Sequence, residues 1–321
     1  MSTDEVKDTL GAMGSDPSYV WMSGELVAWD DAVVHASTLG WSAISMVFEG
    51  IRGYWNSEEE QLNIFHLDLH LERLLRSMKV MRMTSPWSVA ELKRTIVDLV
   101  QANEFRDDIY IQPLAYFGGS TTPGYLPVSE RPGDITIFNR QIGSVLGSGQ
   151  ITSCGVSSWT RISDNVMPPR VKAIANYQNS RYVADESSRH GYDFGIILNP
   201  QGKVSEISYA CLYIVRDGVA ITPPVSAGIL ESITRDVVRH LFQDELGVQV
   251  VERDIDRTEL YIADEVFICG TGAELQAVGS IDGYQIGNGG MGPLVSQLEQ
   301  LFHDIVRGKD SRYPEWRSGV Y

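Results

Sequence analysis

Near the middle of the chain, Gly143-Ser-Val-Leu-Gly-Ser-Gly149 interrupts the hydrophobic periods on either side of it. Glycine and serine at that density favour neither helix nor strand, so the stretch reads as a linker between two separately packed bodies. The length of 321 residues agrees, since ~150 residues suffice for a domain with its own core. The expected organisation is a mobile polar leader at 1–17, a smaller N-terminal domain at 18–142, the linker at 143–149, and a C-terminal domain at 150–321.

Within the first body, Tyr19–Met22 and Glu25–Trp29 flank a Ser23-Gly24 turn and read as a hairpin. Gln61–Phe65 is strand-like. Leu67, Leu71, Leu74, Leu75 and Met78 recur at helical spacing and predict a helix over 67–81; Leu92, Ile96, Leu99 and Val100 predict another over 88–105. Strands are expected at 108–117 and 134–138, around a Gly/Pro/Ser-rich loop at 118–133. The second body offers strands at 151–159, 193–198, 211–215, 219–222, 248–251 and 265–269, and helices at 174–190, 233–242 and 294–306. Strands and helices interleave without strict βαβ alternation, which indicates an α+β fold in two lobes.

Charge narrows the function. With 42 acidic against 26 basic residues, a surface of net charge −16 would repel nucleic-acid phosphates and anionic lipid. No run reaches the ~20 apolar residues of a membrane span, and Met1–Leu10 lacks a signal peptide's apolar core. Cys154, Cys211 and Cys269 are sparse, odd in number and far apart, which suits a reducing cytoplasm and gives no zinc spacing. The expectation is a cytoplasmic enzyme with no nucleic-acid or membrane partner and no metal.

Two motifs match catalytic patterns only in form. Gly287-Asn-Gly-Gly-Met-Gly292 fits G-x-G-x-x-G, yet only 29 residues follow, too few for a βαβ unit with its ribose-binding acid. It reads instead as a turn ending at Pro293, the first position of a helix. His66 and His70 have i, i+4 spacing but no third ligand and no intervening glutamate of the metalloprotease type, so they read as residues packing locally at a helix start.

Of the six lysines, Lys172 is distinctive. It lies in Arg170-Val-Lys-Ala-Ile-Ala-Asn-Tyr177, flanked by small apolar residues where a helix is expected to begin. Desolvation lowers a lysine's proton affinity, as amine nucleophiles require, although taken alone such a residue reads more readily as structural.

Eight blocks in order settle the comparison: Val47-Phe-Glu-Gly-Ile-Arg-Gly-Tyr54, His70-Leu-Glu-Arg-Leu74, Ser157-Ser-Trp-Thr-Arg161, Lys172-Ala-Ile-Ala-Asn-Tyr177, Arg189-His-Gly-Tyr192, Glu231-Ser-Ile-Thr-Arg-Asp236, Ala263-Asp-Glu-Val-Phe267 and Gly270-Thr-Gly-Ala-Glu274. From about Val20 to Val306 the chain resembles the class IV, branched-chain-type aminotransferases, pyridoxal 5'-phosphate enzymes of fold type IV (D-amino acid aminotransferase-like). The resemblance implies an active site between the two lobes and a ping-pong transfer of an amino group from an amino donor to a 2-oxo acid, in a homodimer or a multiple of dimers. Lys172 resembles the lysine that carries the cofactor and shuttles the proton. Glu206 matches the carboxylate on the pyridine nitrogen, and Tyr177 the phenol on the cofactor O3'. Arg73, Ile233, Thr234 and Thr271 match the phosphate ligands, Ser232 opening the helix on which two of them lie.

The substrate side departs from the family pattern. The strand reads Tyr110-Ile-Gln-Pro113 where the family has arginine in place of Gln112, and a neutral amide cannot grip a carboxylate as a guanidinium fork does. Ala43-Ile44 replaces a tyrosine and glycine, no tyrosine lies between Tyr125 and Tyr177, and Glu206-Ile-Ser-Tyr-Ala-Cys211 keeps only the first residue of Glu-Gly-x-Gly-Glu-Asn. The expected substrate residues are Arg52, Tyr110, Gln112, Gly272 and Ala273. The reshaped pocket leaves open an amine-specific transaminase, a lyase or racemase on the same fold, or a cofactor-binding protein without turnover.

Overall fold

The computed structural model describes residues 16–36, 39–117 and 133–321; most of the expected leader and the loop at 118–132 lie outside them. The chain divides into two compact units. The first comprises residues up to Ser144, Val171–Ala175 and Ile305–Tyr321; the second comprises Val145–Arg170 and Asn176–Asp304. This departs from a contiguous division at two segments. Val171–Ala175 joins the first unit because Val47 bridges Ala173, and the chain end joins it because Arg317–Gly319 pairs with the strand at Gln61–Phe65.

The first unit is built on one sheet: β1 (Tyr19–Met22), β2 (Glu25–Ala28), β3 (Val47–Phe48), β4 (Ile51–Asn56), β5 (Gln61–Phe65), β6 (Ile109–Phe117) and β7 (Gly133–Gln141). From the C-terminal strand at Arg317–Gly319 the order runs β5-β4-β6-β7-β1-β2, with β3 also on β6. Helices α1 (Leu39–Ser45), α2 (Leu67–Val80) and α3 (Val89–Ala102) accompany it. Ser88 and Glu91 close a reciprocal capping box at the start of α3. Leu67, Leu71, Leu74 and Met78 of α2 and Leu92, Ile96 and Leu99 of α3 form one core with Val47, Ile51, Ile111 and Ile135.

Along β6, buried and half-buried residues alternate strictly. Ile109, Ile111 and Ala115 therefore face the core, while Tyr110, Gln112 and Leu114 share the opposite face. Between β3 and β4 the ladder is interrupted at Glu49-Gly50, beside Pro113, which has no N–H to donate. Glu49 donates its own N–H to the Pro113 carbonyl (3.0 Å). Gly50 is dictated by Tyr110: a Cβ there would lie 1.7 Å from the tyrosine Oη.

The second unit is a nine-stranded mixed sheet: β8 (Ile151–Thr160), β9 (Phe194–Leu198), β10 (Val204–Ile207), β11 (Cys211–Arg216), β12 (Val219–Thr222), β13 (Val250–Glu252), β14 (Glu265–Gly270), β15 (Glu274–Ile281) and β16 (Tyr284–Gln285). The order is β10-β9-β8-β15-β14-β11-β12-β13, with β16 on β15. Parallel pairing joins β8 to β9, β8 to β15 and β12 to β13. Helix α4 (Tyr177–Arg189) packs on β8 and β9, and α5 (Ile233–His240) on β14. Cys154, Ile196, Leu212, Ile214, Val266 and Ile268 belong to its separate core.

Candidate active site

In the first unit the site grows from β3, α2 and the segment around Lys172. The segment is extended, where a helix start was expected; helical backbone begins only at Ile174 and α4 at Tyr177. Phe48 donates its N–H to the Lys172 carbonyl (2.9 Å), and Ile174 donates to that of Met46 (2.9 Å). Val171 and Ala173 are buried in the core with Lys172 half-buried between them. The period of two thus sends the lysine to the sheet face of Phe48 and Tyr110, with Nζ 4.6 Å from the centre of the Phe48 ring. Ser77 Oγ accepts the Lys172 N–H at 3.4 Å.

Helix α2 carries a polar stripe beside its apolar one: His70, Arg73 and Ser77 are all buried. Arg73 grips Glu49 with Nε (2.6 Å) and Nη2 (2.7 Å), and His70 Nδ1 lies 2.8 Å from the same carboxylate. Glu49 is 0 % exposed. Burial alone would raise its carboxyl, but the Arg73 charge and the bonds from Arg73 and His70 outweigh it and hold the group at about 2. Burial also pushes His70 down, against the pull of Glu49. A fixed, ionised carboxylate therefore orients the arginine assigned to phosphate.

On the opposite face, Arg52, Tyr110 and Arg140 form one row across β4, β6 and β7. Arg52 donates Nη1 to the Gly143 carbonyl (2.8 Å). Gln112 lies opposite Phe138 on the same face.

In the second unit Glu206, 8 % exposed at the end of β10, binds Arg161 Nη2 through Oε1 (2.8 Å) and accepts the Leu230 N–H on Oε2 (2.9 Å). Arg161, 5 % exposed, also donates Nε to the Gly228 carbonyl (2.9 Å), and Gly228 takes φ +88°, a region that favours glycine. Tyr177 opens α4 and its ring stacks on Tyr209 (6.2 Å between centres). At α5, Ser232 caps the helix by accepting the Arg235 N–H (3.2 Å), with Ile233 and Thr234 in the first turn, where backbone N–H groups lack helical acceptors. Thr271, Gly272 and Ala273 make the turn between β14 and β15. A Cβ on Gly272 would meet open space.

Each unit thus holds part of the expected set: Arg52, Arg73, Tyr110, Gln112 and Lys172 in the first, Tyr177, Glu206, Ile233, Thr234, Thr271, Gly272 and Ala273 in the second. Sequence reasoning missed Glu49 and Arg161 as functional groups. Both stand inside matched blocks; the signal for Glu49 is a charge within the apolar run Met46-Val-Phe-Glu-Gly-Ile51, whereas nothing local sets Arg161 apart in Ser157-Ser-Trp-Thr-Arg161. The glycine-rich hexapeptide is a turn whose following helix, Pro293–Arg307, has its first-turn N–H groups of Leu294 and Val295 taken by the Glu265 carboxylate (3.1 and 2.9 Å). His66 lies against the Phe65 and Trp316 rings, so the two histidines serve different partners.

The residues present suit pyridoxal phosphate. An amine, an arginine-held carboxylate for a protonated ring nitrogen, and a capped helix start for a dianion are the donor set that molecule needs. The family model for amino-transferase class IV matches residues 46–281. The probable branched-chain-amino-acid aminotransferase of Aquifex aeolicus (strain VF5) is 40% identical over 304 residues, covering 94% of this chain and 97% of the relative. The branched-chain-amino-acid aminotransferase of Escherichia coli (strain K12) is 37% identical over 305 residues, with the same coverage. Among solved structures, the branched-chain amino acid aminotransferase of Thermobaculum terrenum in its PLP form superposes with a TM-score of 0.92 at 43% identity, covering 96% of this chain and all of the other. The T.th. branched-chain amino acid aminotransferase complexed with N-(5'-phosphopyridoxyl)-L-glutamate gives 0.88 at 33%, with 96% and 100% covered.

The chain belongs to the class IV aminotransferases. It is a pyridoxal-phosphate-dependent aminotransferase with the mixed α/β fold of that class, acting on an amino acid and a 2-oxo acid. Nothing in the comparisons favours a lyase, a racemase, an amine-specific enzyme or a silent binding protein. Among the described residues no helix is long and apolar enough to cross a membrane.

Proposed function

We propose that this aminotransferase moves the amino group between branched-chain-type L-amino acids and their 2-oxo acids, with glutamate as a second donor, by a ping-pong cycle in a cytoplasmic homodimer. The relatives' names supply the branched-chain class, and the phosphopyridoxyl-glutamate complex of one of them supplies glutamate. The observation that carries the reading is the extended Val171-Lys172-Ala173 segment, which sends one amine to the face bearing Tyr110 and Arg52.

When bound, pyridoxal phosphate supplies an electron sink that makes the donor's α-proton removable. Lys172 Nζ is assigned to move that proton, which it would take from the donor's α-carbon and deliver to C4' of the cofactor, with the reverse path in the second half-reaction. Glu206, held in place by Arg161 and the Leu230 N–H, is assigned to the ring nitrogen, where its carboxylate would pair with a proton on that nitrogen. Tyr177 orients the ring through O3'. Arg73, Ile233, Thr234 and Thr271 hold the phosphate, Arg73 in the orientation that Glu49 imposes. Arg52, Tyr110, Gln112, Gly272 and Ala273 are assigned to the substrate. The test is the visible spectrum of the loaded enzyme on adding L-leucine, L-glutamate, an aromatic L-amino acid or (R)-1-phenylethylamine singly. Bleaching by leucine and glutamate supports the reading; bleaching by the amine alone refutes it.

A further inference from the structure

The turn that follows Glu206 carries a tyrosine where the family pattern leaves a glycine. Ile207-Ser208-Tyr209-Ala210 leads from β10 into β11 and is closed by the Ile207 N–H on the Ala210 carbonyl (3.0 Å). Neither Ile207 nor Tyr209 takes a positive φ, so this backbone does not require glycine at either place. Ser208 is buried and tied to β9: its N–H donates to the Gly195 carbonyl (3.0 Å), and its Oγ accepts the Gly195 N–H (3.3 Å). At Gly195 α4 comes very close to that strand, since a Cβ there would lie 2.4 Å from Val183 Cγ1 and from Ser187 Oγ. On its other side the turn meets Gly270, the residue before Thr271; a Cβ on Gly270 would stand 3.3 Å from that of Ala210. The turn is therefore fixed both to the strand under α4 and to the loop assigned to phosphate.

Between buried Ser208 and buried Ala210, Tyr209 is 46 % exposed. Its ring lies 18° from parallel with that of Tyr177, 6.2 Å between centres. The outer torsion of a tyrosine is broad and two-fold, so the residue's own rotamer does not set the plane of its ring. A stacked neighbour does, because the attraction between two rings depends on their relative planes. Burial pushes the Tyr209 phenol up, against the pull of the Arg181 charge, so at neutral pH it meets Tyr177 as an uncharged ring. A phenolic O–H prefers the plane of its own ring, so the plane of Tyr177 aims its proton. Hydrogen bonds weaken steeply off line, so a bond from Tyr177 to O3' depends on that aim.

We propose that Tyr209 is a positioning residue for the bound cofactor: its ring fixes the plane of Tyr177 and, through it, the hydrogen bond to O3'. The inference rests on the assignment of Tyr177 made above and adds the group that holds it. Its test uses the enzyme loaded with pyridoxal phosphate as wild type, Tyr209→Ala, Tyr209→Phe, Tyr177→Phe and the double variant Tyr177→Phe/Tyr209→Ala. Two quantities are read: the apparent Kd of the cofactor by equilibrium dialysis, and the visible circular dichroism per bound cofactor, which reports the setting of its ring and not the stability of the fold. An aromatic pair corresponds to ~2–10-fold, so Tyr209→Ala is expected to raise the Kd by that factor and to change the dichroism, while Tyr209→Phe, which keeps the ring, stays near wild type in both. Tyr177→Phe should show its own loss, and adding Tyr209→Ala to it should change neither quantity further. Wild-type values for Tyr209→Ala beside a clear loss in Tyr177→Phe would overturn this inference alone. So would an undiminished effect of Tyr209→Ala in the Tyr177→Phe background. Wild-type values for Tyr177→Phe would instead refute the assignment of Tyr177 to O3', and this inference with it.

Discussion

The most constrained residue of the candidate site is one that does no chemistry. Glu49 is wholly buried and holds both Arg73 and His70, so its charge is committed to positioning. Removing one partner of such a pair leaves the other buried and uncompensated, a loss of about 3–5 kcal/mol. Glu49→Gln should lower stability by that order in denaturant titrations and weaken cofactor affinity, because Arg73 then loses the charged partner of its Nε and Nη2. The pH dependence follows from the sign of the shift. The folded carboxyl sits at about 2, below its ordinary 4.5, so its contribution is complete above about 4.5 and is lost as pH falls toward 2. Unfolding free energies measured at stepwise lower pH should therefore drop through that window in the wild type, with a smaller fall in Glu49→Gln. Identical acid limbs would contradict the assignment.

At the scale of elements, what was legible was what local chemistry controls. Leu67, Leu71, Leu74 and Met78 announce α2, and Leu92, Ile96, Leu99 and Val100 announce α3, because helical spacing acts within a few residues. Strand β15, central to the second sheet, was missed: it begins at Glu274 with φ +55° and contains Gly279, and its pairing to β8 lies far off in sequence. Lys172 was legible as a candidate, but its extended backbone was not, since the bridge from Val47 to Ala173 is a tertiary contact between distant parts of the chain. Gly50 shows the same limit: only the fold reveals Tyr110 behind it. Gly50→Ala places a methyl inside the phenol's space, so the ring must move at a cost of about 1–3 kcal/mol. The expected result is a lower Tm together with a raised KM for the amino donor, since Tyr110 leaves the row it shares with Arg52 and Arg140; an unchanged KM would remove Tyr110 from the substrate residues.

For the whole molecule, the chain crosses between its two units at four points: Ser144/Val145, Arg170/Val171, Ala175/Asn176 and Asp304/Ile305. The first unit is thus closed only by the last residues of the chain. Arg317, Ser318 and Gly319 pair with Phe65, Ile64 and Asn63; Val320 is buried and donates to Leu62 O (3.0 Å); Tyr321 stacks against Arg106. Deleting 317–321 removes one buried valine, worth ~1.5–3 kcal/mol, and turns β5 into an open edge. Tryptophan emission isolates the effect, because Trp21, Trp29, Trp41, Trp55, Trp87 and Trp316 belong to the first unit and only Trp159 to the second. The truncated enzyme should unfold at lower denaturant by emission, by at least the valine's worth of ~1.5 kcal/mol, and aggregate more readily through β5. If the emission midpoint is unchanged, the C-terminal strand contributes nothing to closing the first sheet, and that sheet is held by α2 and α3 alone.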